Sequence, residues 1–138
     1  MECYISTDKS RIDIEAVHDF LSNRSYWAKG RSIERVKMSI DNSTCFGLYD
    51  PADRMLGFAR LLTDKVVFAY LMDFFIFEDY QGKGLGKKLL KHIIEQPDFE
   101  VRLWFLGTAT AHGFYEKFGF TKIEDPDRFM LKRNENYY

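Results

Sequence analysis

The chain has 138 residues, 46% of them hydrophobic and 30% charged, with a formal net charge of −1. That length and composition suit a folded domain with its own core and exclude a disordered tail. The near-zero charge excludes the basic surplus on which non-specific nucleic-acid binding depends.

In chain order, the opening MECYISTDKS lacks the apolar region of a signal peptide, and residues 3–7 (CYIST) predict a short strand. Residues 11–24 space Ile14, Val17, Phe20 and Leu21 as on one helix face. SYWAKGR (25–31) interrupts the pattern at Gly30, and 32–43 predict a second helix with Ser32 as cap and Ile33, Val36 and Ile40 on its apolar face. The period then changes: strands are expected over 44–50 and 55–63 around the turn PADR (51–54), forming a hairpin.

After a turn at 64–65, VVFAYLMDFFIF (66–77) predicts a central buried strand interrupted by Asp73. Residues 84–96 place Leu85, Leu89, Leu90, Ile93 and Ile94 on one face, and Pro97 stops that helix. A strand over 101–107, a helix over 108–119 ending at Gly119, and strands over 120–124 and 128–133 around the DPD turn complete the chain. No linker or repeat intervenes, so one domain over 1–138 is expected. It is a mixed α/β fold with a parallel pair from the strand–helix–strand of 66–106 and antiparallel hairpins elsewhere. No apolar run reaches the ~20 residues that span a bilayer, so no membrane contact is expected. Cys3 and Cys45 belong to no CxxC or Cys/His cluster; the expectation is reduced thiols and no metal site.

The chemistry concentrates in YQGKGLGKKLL (80–90), which carries three glycines at the start of a helix. It is not a Walker A loop, because Gln81 stands where the first glycine belongs and Lys88 where Ser or Thr belongs. It is not a dinucleotide fingerprint, because Lys87 replaces the third glycine. A glycine turn before a helix still offers unpaired N–H groups and the positive end of the helix dipole. On those grounds the turn either cradles a pyrophosphate or simply joins a strand to a helix.

Gln81-Gly-Lys-Gly-Leu-Gly86 resembles the Gln/Arg-x-x-Gly-x-Gly/Ala signature of the GNAT N-acetyltransferase superfamily. The preceding strand, with Phe74 and Ile76, is similar to that family's, and Ala111 to Phe120 (AHGFYEKFGF) resembles its later Tyr-Glu-Lys-x-Gly-Phe helix ending. The resemblance covers nearly the whole chain. It implies a mostly antiparallel sheet of six to seven strands with about four helices on both faces, and a central parallel pair splayed for coenzyme A. It implies acetyl-CoA as donor, a primary amine of a small molecule or peptide as acceptor, no metal, and direct transfer through a tetrahedral intermediate. A catalytically silent CoA-binding module is the alternative. The family habit favours a homodimer, and the cytoplasm is the expected location.

Residue by residue, the resemblance implies that Gln81, Gly82, Lys83, Gly84, Leu85, Gly86 and Lys87 hold the pyrophosphate. The main chain of Phe74, Phe75 and Ile76 pairs with the pantetheine arm, and an N–H near Phe75 or Ile76 polarises the acetyl carbonyl. Tyr115 matches the tyrosine that protonates the departing thiolate, a transfer close to balanced between a thiol at about 8.5 and a phenol at about 10. The bland alternative is a ring packed beside Phe114 and Phe118. Thr108 stands where many members carry an Asn that touches the cofactor. Asp73 is the candidate base or amine-positioning carboxylate, set against a bulge residue that is hydrogen-bonded or faces water. His112 and a water chain are the other routes for the proton. Tyr26, Trp27 and Arg31, with Lys29, are expected to border the acceptor, and Tyr137 and Tyr138 to be a tail.

Overall fold

The period-two stretches assemble into one sheet in the order β1-β2-β3-β4-β5. The strands are β1 (Tyr4–Ser6), β2 (Thr44–Tyr49), β3 (Met55–Thr63), β4 (Phe68–Ile76) and β5 (Leu103–Phe105). The first three pairings are antiparallel and β4–β5 is parallel. This computed structural model describes residues 2–135, so Tyr137 and Tyr138 lie outside the described residues. The chain divides into two units, one up to Leu106 and one from Gly107 onward.

In the first unit the sheet is covered on both faces. Helix α1 (Ile14–Asp19) starts where the Asp13 side chain accepts from the Ala16 N–H, and a π-helical turn, Phe20–Arg24, prolongs it. Helix α2 (Ile33–Asp41) is capped by Ser32, which accepts from the Arg35 N–H. Val17, Phe20, Val36 and Ile40 from these helices bury against Cys45, Tyr49, Phe58 and Phe75 of the strands. Helix α3 (Leu85–Ile94) buries Leu85, Leu89, Leu90 and Ile93 and packs on β3 and β4. Full burial of such a side chain contributes roughly 1.5–3 kcal/mol, so this periodic face anchors the glycine turn at its start. The ring of Phe46 lies 5.8 Å from that of Phe99, just beyond α3.

Between β3 and β4 the register slips. Phe58 pairs with Phe75 but Arg60 pairs with Met72, so Asp73 and Phe74 together oppose Ala59. Asp73 adopts φ +49, the left-handed conformation that the first residue of a G1-type bulge uses. The parallel pairing of β4 with β5 covers Phe68 to Tyr70 only. Leu71 to Ile76 run on with β3 as their one strand neighbour among the described residues.

Among its described residues the second unit contains one short helix, α4 (His112–Glu116), and a 3₁₀ turn at Pro126–Arg128. This corrects two expectations. The sheet has five strands among the described residues, not six to seven, because 120–124 and 128–133 form no strand. Phe129, Met130 and Leu131 are exposed, so no fully buried apolar face orders this segment into a ladder. The helix expected over 108–119 is likewise confined to 112–116.

Candidate active site

The turn between β4 and α3 is built on two glycines in the left-handed region. Gly82 and Gly84 both have φ +78, and a Cβ built on either meets nothing within 4 Å. Gly84 is the N-cap of α3 and supplies no side-chain cap, and the first turn carries no acidic residue. At this end the Lys88 N–H donates to the Gly84 carbonyl at 3.2 Å. The N–H groups of Leu85, Gly86 and Lys87 therefore lead the helix with no carbonyl inside it to meet. Gln81, Gly82, Lys83 and Lys87 are exposed, and Lys83 Nζ lies 6.0 Å from the centre of the Tyr80 ring. An anion is met here by main-chain donors, the helix dipole and two lysines, and the first turn of α3 carries no competing carboxylate. The Gln81 side chain instead donates to the Ile76 carbonyl at 2.8 Å, which ties the turn to the end of β4.

Hydrogen-bond directions along β4 follow from one contact. The Phe77 N–H donates to the Leu56 carbonyl at 3.0 Å, toward β3. Backbone groups alternate along an antiparallel strand, so Phe75 also faces β3, while Phe74 and Ile76 face the opposite edge. That is the edge β5 leaves uncovered beyond Tyr70.

Asp73 is buried, its side chain 1% exposed. Oδ1 accepts from Trp27 Nε1 at 2.9 Å, and Oδ2 accepts from Arg31 Nη1 at 2.7 Å and Arg60 Nε at 2.8 Å. Burial pushes this carboxyl up, but the Arg60 and Arg31 guanidiniums outweigh it and hold the group below the usual carboxylate range. A carboxylate engaged by three donors is a poor proton acceptor. The geometry therefore favours the bulge alternative over the base. Arg31 is drawn into the same cluster and is itself buried, so its guanidinium turns to Asp73 and not outward to an acidic acceptor group. Tyr26 and Trp27 remain 58% and 37% exposed, with their rings edge-on at 5.1 Å. Lys29 is exposed.

Arg60 is the residue the sequence reading missed. It stands alone among apolar neighbours in MLGFARLLT, as Asp73 does in the adjacent strand. Two lone opposite charges in the two strands of one hairpin are the signal that would have found the pair. Cys45 is buried, and burial pushes its thiol up to about 11, which leaves it unreactive as a nucleophile at neutral pH.

In the second unit, Tyr115 lies in α4, half-buried, with ring contacts to Phe114 at 5.1 Å and Phe120 at 5.9 Å. Thr108 Oγ1 accepts from the Ala111 N–H at 3.1 Å, so its hydroxyl helps start the helix. His112 is exposed.

Residues 41–122 match the acetyltransferase (GNAT) domain family, and the chain belongs to it. Two red-algal proteins named uncharacterized N-acetyltransferase ycf52 are similar. That of Gracilaria tenuistipitata var. liui is 36% identical over 73% of this chain and 57% of its own length. That of Pyropia yezoensis is 30% identical over 91% of this chain and 73% of its own. The chain thus spans little more than half of the Gracilaria relative. A crystal structure from Xanthomonas campestris pv. campestris, described as belonging to the GNAT family, superposes with a TM-score of 0.95 at 35% identity, covering 100% of this chain and 97% of that one.

Proposed function

We propose that the protein transfers an acetyl group from acetyl-CoA directly to a primary amine of a small molecule or peptide. The observation that carries this reading is the continuity of β4 with the glycine turn. A strand whose Phe74 and Ile76 main-chain groups face an edge left open by β5 runs directly into an acid-free helix start. The two parts suit the extended arm and the pyrophosphate of one ligand. Acetyl-CoA supplies the thioester carbonyl. The Ile76 N–H, on the open edge, is the donor that polarises it. The amine nitrogen bonds to the carbonyl carbon, the C–S bond breaks, and Tyr115 gives its phenolic proton to the leaving sulfur. Asp73 has its oxygens engaged, so the amine proton passes to water in this reading. The inert Cys45 accords with transfer that forms no acetyl-enzyme. The Tyr26–Trp27 pair offers an aromatic wall for the amine.

One observation favours a silent CoA-binding module instead: no carboxylate at the bulge is available as a base. Replacing Tyr115 with Phe separates the readings. The enzyme loses about 10²–10⁴-fold in kcat on a panel of amines while its acetyl-CoA Kd is unchanged. A wild-type protein that binds acetyl-CoA yet turns over no amine on the panel supports the module.

A further inference from the structure

We infer that Arg60 is a positioning residue for the acetyl donor, acting through Asp73 to fix the direction in which the backbone of Phe74 to Ile76 presents its hydrogen-bonding groups. The inference rests on the proposed binding of the donor arm along that segment.

The register shows what the bulge does. Without the extra residue, the pairing of Arg60 with Met72 would continue as Ala59 with Asp73 and Phe58 with Phe74. Ile76 would then oppose Leu56 and direct its N–H and carbonyl into β3. The bulge moves every later residue by one place, so Phe77 takes that position and Ile76 turns to the open edge. One slipped residue therefore decides which amides are offered outward.

Holding the bulge has a cost. Asp73 is a non-glycine residue at φ +49, a strained conformation that persists only where the surroundings over-determine it. Arg31 and Trp27 reach Asp73 from the loop before α2, and Arg60 reaches it from β3. Arg60 is braced in turn: its Nη1 donates to Ser43 Oγ at 3.1 Å, and the Ser43 hydroxyl donates to the Ser39 carbonyl at 2.6 Å in α2. A buried ion cluster is weak as a source of stability compared with apolar packing. It is well suited to fixing one geometry, because the planar guanidinium fork accepts few alternatives.

The test measures two ligands on the intact chain by isothermal titration: acetyl-CoA, and adenosine 3′-phosphate 5′-diphosphate, which carries the pyrophosphate without the arm. The variants are Arg60→Lys, which keeps the charge and loses the fork, and Ser43→Ala, a milder change that removes the brace on Arg60 Nη1; thermal unfolding verifies that each is folded. We expect Arg60→Lys to raise the acetyl-CoA Kd about tenfold, with the arm-less ligand changed less than about twofold. Ser43→Ala shifts acetyl-CoA in the same sense by about two- to threefold. A folded Arg60→Lys protein with unchanged acetyl-CoA affinity, or with both ligands weakened alike, overturns the inference. Should Arg60→Lys not fold, an unchanged acetyl-CoA affinity in Ser43→Ala overturns it equally. Wild-type protein that binds neither ligand sinks the cofactor reading itself, and this inference with it.

Discussion

Asp73 and Gly84 both place the chain in the left-handed region, at φ +49 and φ +78, and they are held there in opposite ways. Asp73 has a side chain that pays for the conformation through three donors brought from elsewhere in the sequence. Gly84 has no side chain, no cap and open space where a Cβ would stand. One position is made rigid by engaging both oxygens of its carboxylate. The other is made receptive by leaving main-chain donors exposed. A ligand site that needs both a fixed rail and an open cradle uses each device once, on adjoining segments.

The contrast is broken most severely at Asp73. Asp73→Asn leaves two buried guanidiniums without their carboxylate, and we expect a loss of about 3–5 kcal/mol in urea unfolding. The same residue sets an acid limit. Its folded pKa lies below the ordinary 3.8, so its contribution is complete above that value and is lost as pH falls through the lower folded value. Wild-type stability should therefore fall below about pH 4, and the Asn variant should lack this component. A variant as stable as wild type at neutral pH would show that the cluster does not hold the bulge.

Gly84→Ala sharpens the other side. The added methyl meets no atom, so the cost is backbone strain alone, about 1–2 kcal/mol. A larger loss, measured in the same denaturation series, would mean that a neighbouring group crowds the added methyl. The smallest change joins the two regions. Gln81→Ala removes the 2.8 Å bond to the Ile76 carbonyl, and we expect about 1 kcal/mol of stability and faster amide exchange across Gln81 to Gly84.

The same contrast explains what could be read from residues alone. The glycine turn was legible because its cause is local: glycines and an apolar period sit together in 80–94. The hairpin of β2 and β3 was legible for the same reason, and β3 occupies the expected 55–63. Asp73 could be singled out as a misfit, but its role depends on Arg31, Arg60 and Trp27, whose arrival at one point no local spacing announces. The sequence pattern therefore points Arg31 toward an acceptor and gives Arg60 no role. After Gly107, alternation in FTKIE and RFMLKR resembled strands, yet strand propensity forms no ladder without a partner edge. Thr108 was a likeness to a family position, and its hydroxyl is used to start α4.

The central claim is that the turn from Gln81 to Lys87 holds the pyrophosphate of acetyl-CoA. Isothermal titration with acetyl-CoA, comparing wild type with Gly84→Glu, tests it most directly. We expect micromolar binding to wild type and none to the variant, whose added carboxylate repels an anion at the helix start. No binding to wild type, or equal binding to a folded Gly84→Glu protein, would contradict it.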